Sequence, residues 1–287
     1  MNGILLVNKP AGITSRDVVN KAGKILGTKK VGHTGTLDPL ATGVLVLCVG
    51  SATKLVEILT ATEKEYVAEM ILGIKTDTYD ITGNILEDNK IIKSEEEIRN
   101  VLMSMQGTYE QEVPIYSAVK IDGKKLYEYA RENKSIELPK RMVTISKIEL
   151  LNIEEEAEHT KFSFLCKVSK GTYIRSLVCD IANKLSTVGS MTKLNRVKQG
   201  DFSLEQCYTL EDIEQGNFQL LDIKDCLNKF PKVIADGKLL NAIKNGSIVT
   251  NRWAKDEILF TDKNDSIIAL YKKYDKDESM LKPWKMF

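Results

Sequence analysis

Apolar positions along this chain follow two periods that alternate from segment to segment. Residues 4–7 form a short apolar run closed by Lys9-Pro10-Ala11-Gly12, which predicts a first strand and a turn. Thr14 or Ser15 then stands where a helix cap belongs. Val18, Val19, Ala22 and Ile25 follow at helical spacing, and Gly27 is the stop. Residues 44–49 are apolar without a break and predict a buried strand. Residues 52–59 read as helix, and 66–73 alternate as a strand does. Ser94 with Glu97 three places on is a capping-box signature for a helix over 95–105. Residues 143–153 and 161–168 predict paired strands joined by the acidic stretch 154–158. Leu177, Ile181 and Leu185 share a face of a predicted helix over 173–185. This mixture of strand and helix patterns places the chain in the α+β class.

Two regions depart from the pattern. Residues 120–141 are polar and basic, with Gly123 and Pro139, and read as an excursion holding a short helix near 126–131. Near 228–231 the composition shifts. A short helix over 237–244, an Asn245-Gly246 pair and β-rich runs at 258–260 and 267–271 follow, which predicts a small β-rich unit. The expected organisation is a larger domain over 1–230 and a smaller one over 231–287.

A formal charge of +1 argues at first against a polyanion ligand, but its distribution reverses that view. Residues 161–200 hold 8 Lys/Arg against 1 Asp/Glu, and 113–147 hold 8 against 4, whereas 201–230 hold 2 against 7. Segregation of this kind suits one positive face on a near-neutral protein. The five cysteines lack any Cys-x-x-Cys pair and there are two histidines, so neither a metal site nor a disulfide framework is expected. No apolar run approaches the roughly 18 residues of a membrane span, and the N-terminus reads as a strand rather than a leader. A cytoplasmic protein is the expectation.

The richest local chemistry lies in Gly32-His33-Thr34-Gly35-Thr36-Leu37-Asp38-Pro39-Leu40-Ala41-Thr42-Gly43. Pro39 fixes its own φ and pushes Asp38 out of the helical region, while the glycines let the backbone bend. The loop is built to present one carboxylate. It lacks the Gly-Lys-Ser/Thr of a nucleotide phosphate loop and the spacing of a dinucleotide fingerprint.

As a string, this loop resembles the motif around the catalytic aspartate of the TruB family, the tRNA pseudouridine-55 synthases. Four more blocks resemble that family in the family's order. They are Asn8-Lys9-Pro10-Ala11-Gly12, and Lys64-Glu65-Tyr66 with Leu72-Gly73 and Thr76-Asp77-Thr78. Tyr116-Ser117-Ala118-Val119-Lys120 running on to Arg131 is the next, and Lys170-Gly171-Thr172-Tyr173-Ile174-Arg175-Ser176-Leu177 the last. Together they span about residues 1–200.

The resemblance implies a pseudouridine synthase fold with a central mixed, mainly antiparallel sheet. By position, 231–287 would be a PUA-like RNA-binding domain. The implied reaction turns uridine-55 of the tRNA T loop into pseudouridine: a C–N glycosidic bond breaks, the uracil turns, and a C–C bond forms to the same ribose. Nothing is oxidised or hydrolysed overall, so no cofactor is expected. Asp38 would be the carboxylate, and two roles stay open to it: attack on the ribose, or removal of a ribose proton to give a glycal. A stacked uridine must be flipped out. Tyr66 would stack on it, Tyr173 and Leu194 would line its pocket, and His33 would pack against the opened loop. Arg175 would pair with and orient Asp38. Lys9, Lys120, Lys124, Lys125, Arg131 and Arg196 are candidate phosphate contacts. The expected partner is the tRNA T arm, bound by a monomer with no protein partner. The competing reading is a non-catalytic tRNA-binding or RNA-folding module, which would have no use for a carboxylate beside phosphates.

Overall fold

A computed structural model of the chain describes residues 1–132, 134–156 and 158–287. Gly3–Lys9 and Thr42–Val49 show why the first apolar runs form strands. They pair antiparallel, Ile4 to Cys48 through Lys9 to Gly43. Leu5, Val7, Leu45 and Leu47 face one core cluster, and Ile4, Leu6, Val44 and Val46 face another. A strand buried on both faces reads as a continuous apolar run, because each face takes alternate residues.

These strands open a nine-stranded sheet. Its order continues through Gly189–Gln199, Lys64–Leu72, His159–Val168, Lys140–Glu156 and Gly107–Glu112, with Val31–His33 and Phe202–Ser203 attached at the side. The pairing is antiparallel except where Gly189–Gln199 runs parallel to Thr42–Val49 at Asn195 and Arg196. The class and sheet type are those expected. On one face, helices Ser15–Ile25, Glu95–Ser104 and Ile174–Lys184 lay down Val18, Ile98, Leu102, Leu177 and Ile181. Thr14 and Ser94 cap the first two in full capping boxes with Asp17 and Glu97. The other face meets a five-stranded sheet of Lys232–Ile234, Glu257–Thr261, Ile267–Tyr274, Asp277–Met286 and Val249–Thr250. Leu227, Phe230, Leu259 and Leu270 join Ile4, Val44 and Leu55 in one cluster, so the two sheets share a core.

Several sequence expectations need correction. Gly189–Gln199, in the middle of the main sheet, was not expected as a strand. Its buried positions include Ser190, Thr192, Arg196 and Gln199, so hydrophobic alternation does not reveal it. Asp277–Met286 is a strand despite Pro283, which sits opposite Tyr271 beside a register shift. Asn245 and Gly246 do not turn a hairpin; Asn245 caps the helix Gly237–Lys244 and Gly246 follows in a left-handed conformation. Glu154 belongs to the long strand and pairs with Lys161, so most of the supposed acidic connector is sheet. Ala157, in that connector, and Asn133, in the excursion, lie outside the described residues. The excursion holds the expected helix Leu126–Arg131, preceded by a ribbon of Lys120–Ile121 and Lys124–Lys125. Its far end, Lys140 and Arg141, belongs to the main sheet.

Candidate active site

The Asp38 loop is held from behind by two buried cations. Lys9 Nζ donates to the carbonyls of Ala41, Pro39 and Pro10 at 2.7, 3.3 and 2.8 Å. Arg196 Nε donates to Val44 O at 2.7 Å and Nη2 to Gly35 O at 3.0 Å. Both side chains are buried, which removes them from the candidate phosphate contacts. A cation taken out of water needs its donors satisfied, and here backbone carbonyls do that. Burial pulls the Lys9 ammonium down to about 8, against the opposing pull of the Asp38 charge. On the other side of the loop Ser15 Oγ donates to Leu37 O at 3.0 Å and accepts from Leu37 N at 2.8 Å. Gly43 closes the loop at φ +100°, and a Cβ there would lie 2.3 Å from Arg196 O. Only glycine permits that approach.

Asp38 projects from this frame, over a third exposed, and its Oδ2 accepts from Arg175 Nε at 2.9 Å. Arg175 itself is buried. Its other two nitrogens donate to Thr78 O at 3.1 Å and Tyr116 O at 2.9 Å. One guanidinium therefore ties together the Asp38 loop, the loop after Ile74–Thr76 and the segment leading into the excursion. Each of its three nitrogens serves an acceptor on a different segment, which the single nitrogen of a lysine would have to reach from one point. Arg175 lies in the first turn of the helix Ile174–Lys184, whose cap residue is Tyr173. Gln111 Oε1 accepts from Tyr173 N at 2.8 Å, and Gln111 Nε2 donates to Tyr173 O at 3.2 Å, so both backbone groups of the cap are held.

A cavity of about 560 Å³ opens over Asp38. Tyr66, Tyr173, Arg175, Leu194 and Arg131 line it with Asp38, so six expected site residues converge from segments up to 156 positions apart. Tyr66 and Leu194 stand on the adjacent strands Lys64–Leu72 and Gly189–Gln199. The tyrosine ring is buried toward the core yet forms a wall of the cavity. His33 does not line this space. It ends the strand Val31–His33, where Nδ1 accepts from Gly35 N at 3.4 Å. Burial first, then the charges of Arg16 and Arg196, hold its imidazole below the usual range. Lys120, Lys124 and Lys125 also lie outside the cavity, on the excursion's ribbon; Lys124 pairs with Glu132 and Lys125 sits by the Tyr127 hydroxyl.

The cavity contains residues to which the sequence reading gives no role. Tyr116 and Ser117, just before the excursion, and Tyr127 within it line the cavity. The Arg131 guanidinium lies 5.2 Å from the Tyr127 ring centre, and that of Arg141 lies 5.7 Å from the Tyr173 ring centre. The four-residue spacing of Tyr127 and Arg131 on a short helix was a readable signal for the first pair. Nothing in the sequence links Arg141 to Tyr173. Among the described residues no three His, Cys, Asp or Glu side chains gather as metal ligands. Among the described residues no helix is long and apolar enough to cross a membrane.

Comparison with known proteins extends the resemblance over the whole chain. Residues 23–174 match the family model described as TruB family pseudouridylate synthase (N terminal domain). Residues 175–225 match that of the tRNA pseudouridylate synthase B C-terminal domain. The tRNA pseudouridine synthase B of Bacillus cereus (strain ATCC 10987 / NRS 248) is 42% identical over 298 residues, covering 100% of this chain and 97% of the relative. That of Bacillus licheniformis is 42% identical over 300 residues, covering 99% and 97%. Among solved structures, a Cbf5-Nop10-Gar1 complex superposes with TM-score 0.69 at 27% identity, covering 94% of this chain and 78% of the other. An H/ACA RNP bound to a substrate RNA containing 2'-deoxyuridine superposes with TM-score 0.69 at 24% identity, covering 99% and 84%, and shows the shared fold.

Proposed function

Because the chain belongs to the TruB family of pseudouridylate synthases, we propose that it isomerises uridine-55 in the T loop of tRNA to pseudouridine, with Asp38 as the reacting carboxylate. The observation that carries this reading is the Asp38–Arg175 pair at 2.9 Å, opening into a cavity walled by Tyr66, Tyr173 and Leu194. A flipped uracil needs aromatic and aliphatic walls against which to stack once it leaves its neighbours. Tyr66 and Tyr173 offer ring faces and Leu194 an apolar contact. The carboxylate needs a fixed direction; Arg175 supplies it, and the rigid loop behind Asp38 removes freedom that would otherwise be lost on reaction. RNA seated over the cavity limits water, which would otherwise take the ribose carbon and release the uracil. Two roles remain open to Asp38, attack on the ribose and abstraction of a ribose proton.

Lys120, Lys124 and Lys125, outside the cavity, and Arg131, in its wall, are the proposed phosphate contacts, and His33 packs against the opened RNA loop. Residues 1–230 act as the catalytic domain, and 231–287 as a PUA-like RNA-binding domain. The protein works as a cytoplasmic monomer without a protein partner, cofactor or metal.

The test is incubation of the protein with unmodified tRNA transcript, followed by mapping of pseudouridine. Wild type should modify position 55 alone. Asp38→Asn keeps the side-chain shape and should abolish turnover while tRNA affinity changes less than twofold. Retention of a tenth of the wild-type rate would remove Asp38 from the chemistry.

A further inference from the structure

The helix that carries Arg175 begins without a side-chain cap of its own. Tyr173 holds the cap position of Ile174–Lys184 and its side chain makes no capping bond, whereas Thr14 and Ser94 cap their helices. The start of a helix leaves backbone N–H groups unpaired, and away from water each needs a partner from elsewhere. Here the partner comes from the strand Gly107–Glu112. Gln111 is 1% exposed; its Oε1 accepts from Tyr173 N at 2.8 Å and its Nε2 donates to Tyr173 O at 3.2 Å. Nε2 also donates to Tyr109 Oη at 2.8 Å, and that hydroxyl donates to Asp180 Oδ2 at 2.9 Å.

One carboxamide thus uses its carbonyl and both of its N–H groups. Turned over, it would set N–H against the N–H of Tyr173, so the network holds a single orientation. Tyr109 and Gln111, two residues apart, share a side of their strand. The neighbouring carbonyl, Glu112 O, accepts from Ser176 Oγ at 2.8 Å. The helix is therefore pinned to this strand at Tyr173, Ser176 and Asp180. Tyr173 lines the cavity, and Arg175, two residues on, holds Asp38 at 2.9 Å. Thr78 O and Tyr116 O anchor the far end of the Arg175 side chain, and Gln111 anchors the backbone near its root.

From this geometry we infer that Gln111 is a positioning residue for the reaction: it sets the start of the helix so that Tyr173 walls the cavity and Arg175 meets Asp38. The inference rests on the reading that this cavity takes a uridine. Gln111 is not among the residues lining the cavity. Its effect passes through Tyr173 and Arg175, so it belongs in the rate on bound tRNA rather than in affinity, which phosphate contacts dominate.

The experiment uses the full-length protein, unmodified tRNA transcript, and the variants Gln111→Met and Gln111→Glu at pH 8. Methionine matches the length of the side chain and makes none of its hydrogen bonds. Glutamate has the same size, keeps an acceptor for Tyr173 N and loses both donors, and it carries the test should the methionine variant not fold. Single-turnover rate at saturating enzyme, tRNA affinity and melting temperature are measured for each, with the assay run well below every melting temperature. The rate of each folded variant should fall about tenfold or more, as misplacement of a reacting group does, with affinity within twofold of wild type. Each is then combined with Arg175→Lys. Because Gln111 acts through the residue already impaired, the double variant should be slower than Arg175→Lys alone by less than about threefold. A folded variant with the wild-type rate overturns the proposal, and so does a loss of affinity in proportion to rate. Losses that multiply in the double variant, or failure of both single variants to fold, would make Gln111 a structural residue and overturn it as well. If wild type itself forms no pseudouridine, the functional reading has failed before Gln111 is at issue.

Discussion

Arg175 concentrates the site's geometry in one side chain. Its three contacts, to Asp38, Thr78 and Tyr116, use all three guanidinium nitrogens. Arg175→Lys keeps the charge and loses two of the three acceptors. It is expected to slow single-turnover catalysis by about a hundredfold or more while tRNA affinity holds, as misplacement of a reacting group does. Loss of affinity in proportion to rate would make Arg175 an RNA contact instead. Lys64 gives a test by pH. It is buried and donates to Thr60 O at 2.7 Å and Thr62 O at 2.5 Å. Burial above all, then the charges of Arg196 and Lys170, lower it from 10.5 to about 8. Between pH 8 and 10.5 the unfolded chain holds a proton that the folded chain has released, so this group's contribution to stability rises with pH. Urea unfolding at pH 7 and pH 9.5 should therefore show wild type gaining on Lys64→Met, by on the order of 1–2 kcal/mol. A wild-type advantage that shrinks at pH 9.5 would reverse the assignment. Asp38, Tyr66, Tyr173 and Arg175 were legible as site candidates from their motifs, and Leu194 only from its position in the family pattern. The fates of Lys9 and Arg196 were not, because a basic side chain looks the same in sequence whether it meets phosphate or a carbonyl.

Among the elements, the capped helices were the most legible. Thr14 with Asp17 and Ser94 with Glu97 act within four residues, so the stretch of chain that contains them also contains their physics. Gly189–Gln199 lay at the other extreme. Its Arg196 and Gln199 are buried because carbonyls of the Asp38 loop and of Leu59, more than a hundred positions away, receive their protons. The excursion falls between these cases. Its helix Leu126–Arg131 was readable, while the reach of Tyr127 and Arg131 into the cavity was not. Leu126 N donates to Val119 O and Tyr127 N to Ser117 O, and one end of this segment joins the main sheet at Lys140. If the excursion closes over RNA, limited proteolysis should cut within 120–139 in the free protein, and saturating tRNA should slow that cleavage at least severalfold. Equal cleavage with and without tRNA would argue for a wall that does not move.

For the molecule as a whole, the shared core changes how an RNA-binding role for 231–287 can be tested. Leu259, Leu270, Trp284 and Phe287 pack against the cluster containing Ile4, Leu6, Val44 and Val46. Deleting the segment would bare that face and destabilise what remains, which would confuse binding with unfolding. Substitution on its surface avoids the difficulty. Arg252 and Lys255 are exposed, and Arg252→Gln with Lys255→Gln should weaken tRNA binding while leaving the rate on bound tRNA unchanged. The slope of log affinity against log salt should become shallower by somewhat under one for each phosphate that is no longer neutralised. An unchanged slope would remove these two side chains from the interface.

What the sequence by itself determined is local or carried in contiguous motifs: the α+β class, the capped helices, the doubly buried first strands, and the aspartate presented between glycines and proline. Only the tertiary structure decided which cations are framework and which ring pairs with Arg141. Those outcomes depend on what lies opposite each group across the sheet, and burial converts a surface charge into a carbonyl-bound strut only when distant segments meet. Lys9 and Arg131 show the division: both are basic residues within family-like motifs, yet one is sealed beneath the Asp38 loop and the other lines the cavity above it.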